Sequence, residues 1–250
     1  MNRNNWTREE TIVAFNVYCK IPFKSSSKLN PVVIKYAKLI GRSPSALNMK
    51  IGNLGRLDPE LKKQGISGLS HGSKIEEDVW KEFHGNWDKL AFDSEKIIAA
   101  LHGKVITEEK ANNSLLDRTE ELRTVKTRVN QSFFRSSVLS AYNLKCCITG
   151  LNVPELLVAS HIIPWKENIE RTNPKNGLCL NNLHDKAFDR GLLSVDEDFR
   201  VMISNKISNS QNHAVNDYLI RIKNKKIQLP DKFFPNQEFL DYHRTNIFKK

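Results

Sequence analysis

The stretch NGLCLNNLHDKAFDRG, residues 176–191, sets a short apolar run immediately before a histidine and two aspartates. Residues 178–180 have the length and character of a buried strand. His184, Asp185 and Asp189 then fall on one short helical stretch, and all three side chains are types that bind metals. A soluble helix normally scatters its charges over the solvent side. The stretch therefore predicts a strand followed by a helix that carries chemistry.

A second histidine lies upstream in ASHIIPW. His161 precedes Asn176 by 15 residues and His184 by 23. These spacings suit a strand that carries His161, an irregular loop from Pro164 to Lys175, a second strand and the helix of His184. We expect the two histidines to converge on one cleft.

The remainder of the second half predicts short, mixed elements. NQSFFRSSVLSAY is typical of a helix, whereas CCIT and ELLVASHII read as strands separated by Gly150 to Pro154. LLSVDEDFRVMIS predicts a hairpin around a tight acidic turn. Two further helices are expected near residues 214–222 and 237–246.

The first hundred residues predict a helical domain. Thr7 and Glu10 form a capping box ahead of an apolar run. Two later helices begin with an N-cap and a proline, at Asn30-Pro31 and at Ser43-Pro44. The second helix closes at Gly41, so a short glycine-containing turn separates the pair, as in a helix-turn-helix.

The third helix has an outer side suited to DNA. If Leu47, Ile51 and Leu54 are buried, small and amide side chains face solvent and could meet base edges. The candidate DNA-binding residues here are Arg42, Ser45, Asn48, Lys50, Asn53 and Arg56, of which Arg42, Lys50 and Arg56 would meet phosphates. The alternative is an ordinary helical hairpin with a solvated side.

Composition favours a polyanionic partner. The 250 residues carry a formal net charge of +11, which suits DNA, RNA or an anionic membrane surface, although a solubility charge is the alternative. No apolar run approaches the roughly 20 residues of a membrane span, and the start MNRNNWTREE lacks the apolar core of a signal peptide. We therefore expect a cytoplasmic protein whose four cysteines are reduced.

The strings CCITG, ASHIIPW and RTNPKNGLCLNNLHDKAFDRGLLSVD together resemble an HNH endonuclease of the ββα-metal fold, in its restriction-type or defence-type branch. The resemblance covers about residues 130–203. WTREE and IGRSPSALNMKIGNL are also similar to the helical domain that often precedes this nuclease in bacterial proteins. The fold class expected is α+β, with a helical, helix-turn-helix-like N-terminal domain and a C-terminal ββα-metal domain flanked by helices.

The resemblance implies roles for three residues. His161 would be the general base that takes a proton from water, because a neutral imidazole has its pKa near ambient pH. His184 matches the family's metal ligand on the helix. Asn176 matches the middle letter of the motif, where it would pin the loop or touch the metal.

The expected metal shell departs from the family pattern at one position. Many HNH enzymes have Asp or His directly before the base, where this chain has Ser160. Serine is a poor ligand beside a carboxylate, so Asp185, Asp189 or waters would supply the missing contact. Magnesium is the expected metal, with manganese or a later transition metal as alternatives. Lys166 and Arg190 are further candidate DNA contacts, although Arg190 could instead pair with Asp189.

The leading hypothesis is a metal-dependent endonuclease that cuts double-stranded DNA, with a homodimer or sequential nicking needed to cut both strands. The alternatives are a DNA-binding regulator with an inactive HNH fold and a nonspecific toxin nuclease. We predict a helical DNA-binding domain at residues 1–102, a charged linker or helix at 103–127, and a nuclease domain with C-terminal helices at 128–250.

Overall fold

The computed structural model describes residues 5–24, 26–66, 72–103, 115–167 and 171–250, and of residues 115–123 only the backbone. Contacts divide the chain into two compact units, residues 1–133 and 134–250. The first unit is helical, and the second combines helices with two small antiparallel sheets. The predicted α+β fold class is therefore confirmed.

Six helices build the first unit within the described ranges. They are α1 (Arg8–Lys20), α2 (Pro31–Leu39), α3 (Pro44–Gly55), α4 (Pro59–Lys63), α5 (Lys74–Phe83) and α6 (Trp87–Leu101). The predicted capping box at Thr7 and Glu10 starts α1. Asn30, Ser43 and Asp58 cap the three helices that begin with proline, each accepting a hydrogen bond from a backbone N–H of the first turn.

The central helix of the first unit is α1. Residues 11–19 of this helix are all buried, because α2, α3, α5 and α6 pack around it. Phe15 of α1 stacks on Trp80 of α5 with ring centroids 4.8 Å apart. Between α5 and α6 the backbone turns at Gly85, whose φ of +89° strongly favours glycine.

A long helix, α7 (Leu115–Ala141), runs across the division between the units, and the remainder of the predicted charged stretch, residues 104–114, lies outside the described residues. The second unit then contains β1 (Leu157–His161), β2 (Gly177–Asn181), α8 (Asn182–Asp189), β3 (Leu193–Val195), β4 (Val201–Ile203), α9 (Asn205–Ser208), α10 (His213–Tyr218) and α11 (Gln237–Asn246). Among the described helices, none has the length and apolar character to cross a membrane.

Strands β1 and β2 pair antiparallel, with His161 opposite Gly177 and Ser160 opposite Leu178, and β3 pairs with β4 as the predicted hairpin. The predicted strand CCIT is wrong. Residues 147–149 form a turn in which the N–H of Gly150, at φ +78°, bonds the Cys146 carbonyl. Only Cys147 reaches β2, through a bond from its N–H to the Cys179 carbonyl.

The end of the chain closes over the end of α8. Gly191 follows α8 at φ +68°, and a Cβ there would lie 2.0 Å from the Ile247 carbonyl oxygen. The N–H of Lys249 bonds the Gly191 carbonyl. His243 of α11 is buried and stacks on Phe188 of α8.

Candidate active site

Two strands and one helix position the candidate residues. β2 passes directly into α8, which begins where the Asn181 side chain accepts a hydrogen bond from the His184 N–H at 2.9 Å. α8 packs against β1, β2 and β3, so its inner side faces the strand that carries Ser160 and His161. Neighbouring strand residues point to opposite faces. Ser160 therefore faces α8, while His161 lies on the other side against Phe134 of α7.

His161 is half-buried between aromatic rings. Its imidazole stacks on Phe134 with centroids 3.7 Å apart, and Trp165 meets its edge at 5.3 Å. Nε2 lies 3.0 Å from the Arg171 carbonyl oxygen, which can only accept, so Nε2 carries the proton. Burial lowers the pKa of His161 below 6.5, against the opposing effect of that bond. The neutral ring therefore keeps the lone pair of Nδ1 for another proton.

Asn176 holds the loop that follows His161. Its buried side chain accepts a hydrogen bond from the Ile163 N–H at 2.9 Å and donates one to the Ile163 carbonyl at 3.1 Å. Its own carbonyl accepts from the Ile162 N–H. Of the two roles considered for Asn176, these contacts favour pinning the loop over touching a metal.

His184 has both ring nitrogens engaged by protein groups. Nε2 lies 3.2 Å from the Tyr218 carbonyl oxygen and therefore donates to it. Nδ1 lies 3.3 Å from the Asn181 amide nitrogen, from which it accepts, and 3.9 Å from the Cys146 sulfur. The ring is 2% exposed. The structure thus gives the two histidines separate partners and leaves no lone pair of His184 directed at a cleft, contrary to the expected convergence.

Oxygen atoms gather on the other face of α8. Asp185 and Asp189 are one helical turn apart and so share a side of α8. Burial raises the pKa of Asp185, which the adjacent Ser160 hydroxyl opposes without reaching the geometry of a formed hydrogen bond. Asp189 is exposed, and desolvation by its neighbours and then the Asp185 charge raise its pKa. These carboxylates therefore crowd each other, and neither forms an ion pair within the described residues.

Ser160 is the unusual member of this group. Its hydroxyl oxygen is buried and has no hydrogen-bond partner among the residues that the structure describes. A buried hydroxyl without a partner is costly, so such an atom calls for an explanation. In the described ranges no set of three or more His, Cys, Asp and Glu side chains is grouped to hold a metal. The candidate donor set therefore consists of the carboxylates of Asp185 and Asp189 and the Ser160 hydroxyl.

Two cationic candidates flank this region. Arg190, which follows α8, is exposed, and its charge partly opposes the rise in the pKa of Asp189. It forms no ion pair in the described part of the chain. Lys166 is exposed on the loop after β1.

The cationic candidates of the first unit are held by carboxylates. Arg42 donates to both oxygens of Glu10, at 2.9 and 2.7 Å. Lys50 is buried and forms an ion pair with Glu76. Arg56 lies 3.5 Å from Glu77. The ammonium of Lys50 is thus not presented to a phosphate, because helix α5 brings Glu76 over it.

The outer side of α3 lies in a recess. A cavity of about 850 Å³ is lined by Asn5, Trp6, Arg42, Ala46, Met49, Lys50, Asn53, Ser73, Ile75 and Glu76. Ser45 is exposed outside it, and Asn48 accepts a hydrogen bond from the Ser26 hydroxyl at 2.6 Å. In a helix-turn-helix protein the second helix lies in the major groove of DNA. No contact among the described residues tests that placement for α3, and the helix-turn-helix interpretation stays a prediction.

Sequence reasoning missed two neighbours of the candidate site. Phe134 supports His161 from 27 residues earlier in the chain, and Tyr218 supplies the carbonyl that His184 binds from 34 residues later. Helical periodicity does predict Phe134 as a packing residue. No local sequence pattern predicts that the backbone carbonyl of Tyr218 accepts a hydrogen bond from His184.

The comparisons with known proteins agree with this architecture. Residues 146–196 match the family described as HNH endonuclease, and they span β1, β2, α8 and β3. No curated protein matches the chain. The matched segment includes His161, Asn176, His184, Asp185 and Asp189. Because the strand–strand–helix unit and the family match fall on the same residues, the C-terminal half of this protein contains an HNH endonuclease domain, and the family assignment supports a nuclease.

Proposed function

We propose that the protein is a metal-dependent endonuclease that hydrolyses phosphodiester bonds of double-stranded DNA, of the restriction or defence type. The observation that carries the proposal is the match of residues 146–196 to the HNH endonuclease family on a strand–strand–helix unit that holds His161, Ser160 and Asp185. The net charge of +11 suits a polyanionic substrate.

His161 is the proposed general base. Its lowered pKa keeps the imidazole neutral at neutral pH, and the Arg171 carbonyl fixes the tautomer in which Nδ1 can accept a proton. Phe134 and the Asn176-pinned loop hold the ring in place. Within this arrangement His161 would take the proton of the attacking water.

The α8 carboxylates and Ser160 fit a hard divalent cation. Two carboxylates with raised pKa values, one half-buried at Asp185 and one exposed at Asp189, and a buried hydroxyl without a partner form an oxygen donor set that a cation would satisfy. A bound Mg²⁺ would supply charge neutralisation at the phosphate and at the departing oxygen. Mn²⁺ is the alternative metal. We assign His184 to structure in this proposal, because its nitrogens are occupied.

Target selection is proposed for the first unit. Ser45 and Asn48 of α3, with Asn53 in the recess, are the polar groups offered to bases. Arg42 lines the same recess, and Arg56 directly follows α3. In the second unit Lys166 and Arg190 would contact phosphates. A single HNH site cuts one strand, so cleavage of both strands would use a homodimer or two successive nicks.

The test is cleavage of supercoiled plasmid with Mg²⁺, Mn²⁺ or EDTA. Wild-type protein should nick DNA only with metal, and His161→Ala should lower the rate by a factor on the order of 10²–10⁴ while DNA binding persists. The control is His213→Ala, an exposed histidine at the start of α10. Binding without cleavage with any metal would instead support the regulator, and fragments without recurrent ends would support the toxin nuclease.

A further inference from the structure

A run of exposed cations follows α10 in the second unit. We define the basic segment as residues 218–226, YLIRIKNKK. Its exposed members are Tyr218, Arg221, Lys223, Asn224, Lys225 and Lys226. Tyr218 is 61% exposed, so its ring is open to a partner on this surface.

Backbone hydrogen bonds fix the basic segment to the second sheet. The Asn224 N–H bonds the Val201 carbonyl of β4 at 2.8 Å, and the Val201 N–H bonds the Lys225 carbonyl at 2.9 Å. Arg200 forms a bridge with Lys226, and its guanidinium donates to the Asn224 carbonyl. The lysines are therefore displayed from ordered backbone, and Arg200 adds a fourth cation to the three lysines.

The other end of the basic segment is attached to α8. The Tyr218 carbonyl accepts the hydrogen bond from Nε2 of the buried His184. His184 lies next to Asp185 in the chain, on the helix that carries both candidate carboxylates. The basic segment thus begins at the helix of the candidate site and extends from it along β4.

The charges of the basic segment are largely uncompensated. Arg221 forms an exposed ion pair with Asp217 at 3.6 Å, whereas Lys223, Lys225 and Lys226 form none within the described ranges. The acidic turn of residues 196–198 lies at the Lys226 end, where Asp196 accepts hydrogen bonds from its own turn. In contrast, carboxylates of the first unit hold Arg42, Lys50 and Arg56.

We propose that the basic segment is a DNA-binding surface of the nuclease domain. Lys223, Lys225, Lys226 and Arg200 bind successive backbone phosphates of the substrate duplex, and the exposed Tyr218 ring contacts a sugar or base of the same duplex. His184 is the positioning residue that fastens this surface to α8. This inference rests on the proposed nuclease function, because it assigns the surface to the same substrate.

The test is the salt dependence of DNA binding by the full chain, measured by fluorescence anisotropy in EDTA so that no DNA is cut. Each phosphate contact contributes about 0.9 to the slope of log K against log salt. Substitution K223Q/K225Q/K226Q should therefore reduce the magnitude of the slope by about 2 to 3. The matched control is K62Q/K63Q/K81Q, which removes the same charge from exposed positions of the first unit.

The outcomes separate the surface from the nuclease function. A slope reduced in the segment variant but not in the control supports the surface, even if no protein cuts DNA, in which case the nuclease proposal alone fails. Equal changes in both variants, or an unchanged slope in the segment variant, overturn the surface even if cleavage is normal. A segment variant that loses binding to anionic lipid vesicles while its DNA slope is unchanged also overturns it.

Discussion

At the scale of single residues, His161 gives the most direct prediction. Burial lowers its pKa below 6.5, and only the neutral ring can accept a proton from water. The midpoint of the acidic limb of the pH profile of kcat/KM should therefore lie below pH 6.5. Rates on short DNA duplexes in saturating Mg²⁺ measure this limb. A limb above pH 6.5 would contradict the assigned environment of His161.

His184 separates two chemical roles. A metal ligand needs a nitrogen lone pair, whereas the bond to Tyr218 needs an N–H donor. His184→Gln keeps a donor near the position of Nε2 and should retain cleavage. His184→Ala should lower the free energy of unfolding by about 1–3 kcal/mol, because the Tyr218 carbonyl and the Asn181 amide both lose their partner in the buried imidazole. Urea unfolding and plasmid nicking measure both. A His184→Gln variant that folds but does not cut DNA would instead support a role for His184 as a metal ligand.

His161, Asn176 and His184 show which contacts of the candidate site can be predicted from the sequence and which cannot. His161 and Asn176 are predicted because their roles depend on the adjacent strand and on the loop between them. The contacts of His184 depend on Tyr218, which tertiary folding brings from 34 residues away. The sequence predicts that His184 lies on a helix, but it does not predict that the Tyr218 carbonyl binds Nε2 of this residue.

At the scale of elements, the pairing of Asp185 and Asp189 on α8 predicts a response to metal. Their raised pKa values mean that ionised carboxylates destabilise the fold at neutral pH in the absence of a cation. Mg²⁺ at 100 times its dissociation constant should stabilise the wild type by about 2.7 kcal/mol. Asp185→Asn and Asp189→Asn should melt at a higher temperature than wild type in EDTA, yet gain little from Mg²⁺.

The control for this experiment is Asp241→Asn, an exposed aspartate of α11. Its thermal shift with Mg²⁺ should equal that of the wild type in differential scanning calorimetry. If both α8 variants keep the full Mg²⁺ shift, the cation binds elsewhere on the protein.

Most elements could be predicted because their signals are local. Asn30-Pro31, Ser43-Pro44 and the Thr7 capping box each satisfy orphan N–H groups within one turn. The segment CCIT misleads for the opposite reason. Its side chains suit a strand, but a glycine at positive φ and a single bond to β2 make it a buried turn.

At the scale of the whole molecule, the second unit should lose stability in acid through His243. Burial lowers the pKa of this residue to about 4, although the Phe188 carbonyl opposes that effect. Below pH 6.5 the unfolded chain binds a proton that the folded unit accepts only near pH 4. Stability should fall by on the order of 3 kcal/mol over that interval.

Urea unfolding of wild type and His243→Gln at pH 7 and at pH 4.5 isolates this contribution. The variant should be less stable than wild type at pH 7, because the bond to Ser194 is disturbed, and should lose less on acidification. Parallel losses in both proteins would show that other groups cause the acid sensitivity.

The sequence predicts the nuclease motif better than it predicts which cations are available to bind DNA. Net charge suggests DNA, but it does not say which cations are free to bind it. The sequence predicts that Lys50 lies on the surface of α3, but in the structure it is buried and paired with Glu76 of α5. The lysines at 223, 225 and 226 belong to no motif, and their exposure follows from how the segment is hydrogen-bonded along β4.

The close approach of Gly191 to Ile247 has a practical consequence for handling the protein. Any side chain at position 191 would collide with main-chain atoms of Ile247 and Phe248. Gly191→Ala should therefore displace the backbone that follows α8, because main-chain atoms cannot move aside as a flexible side chain can. For the same reason, trimming the last four residues would strip the Lys249 cap from that backbone.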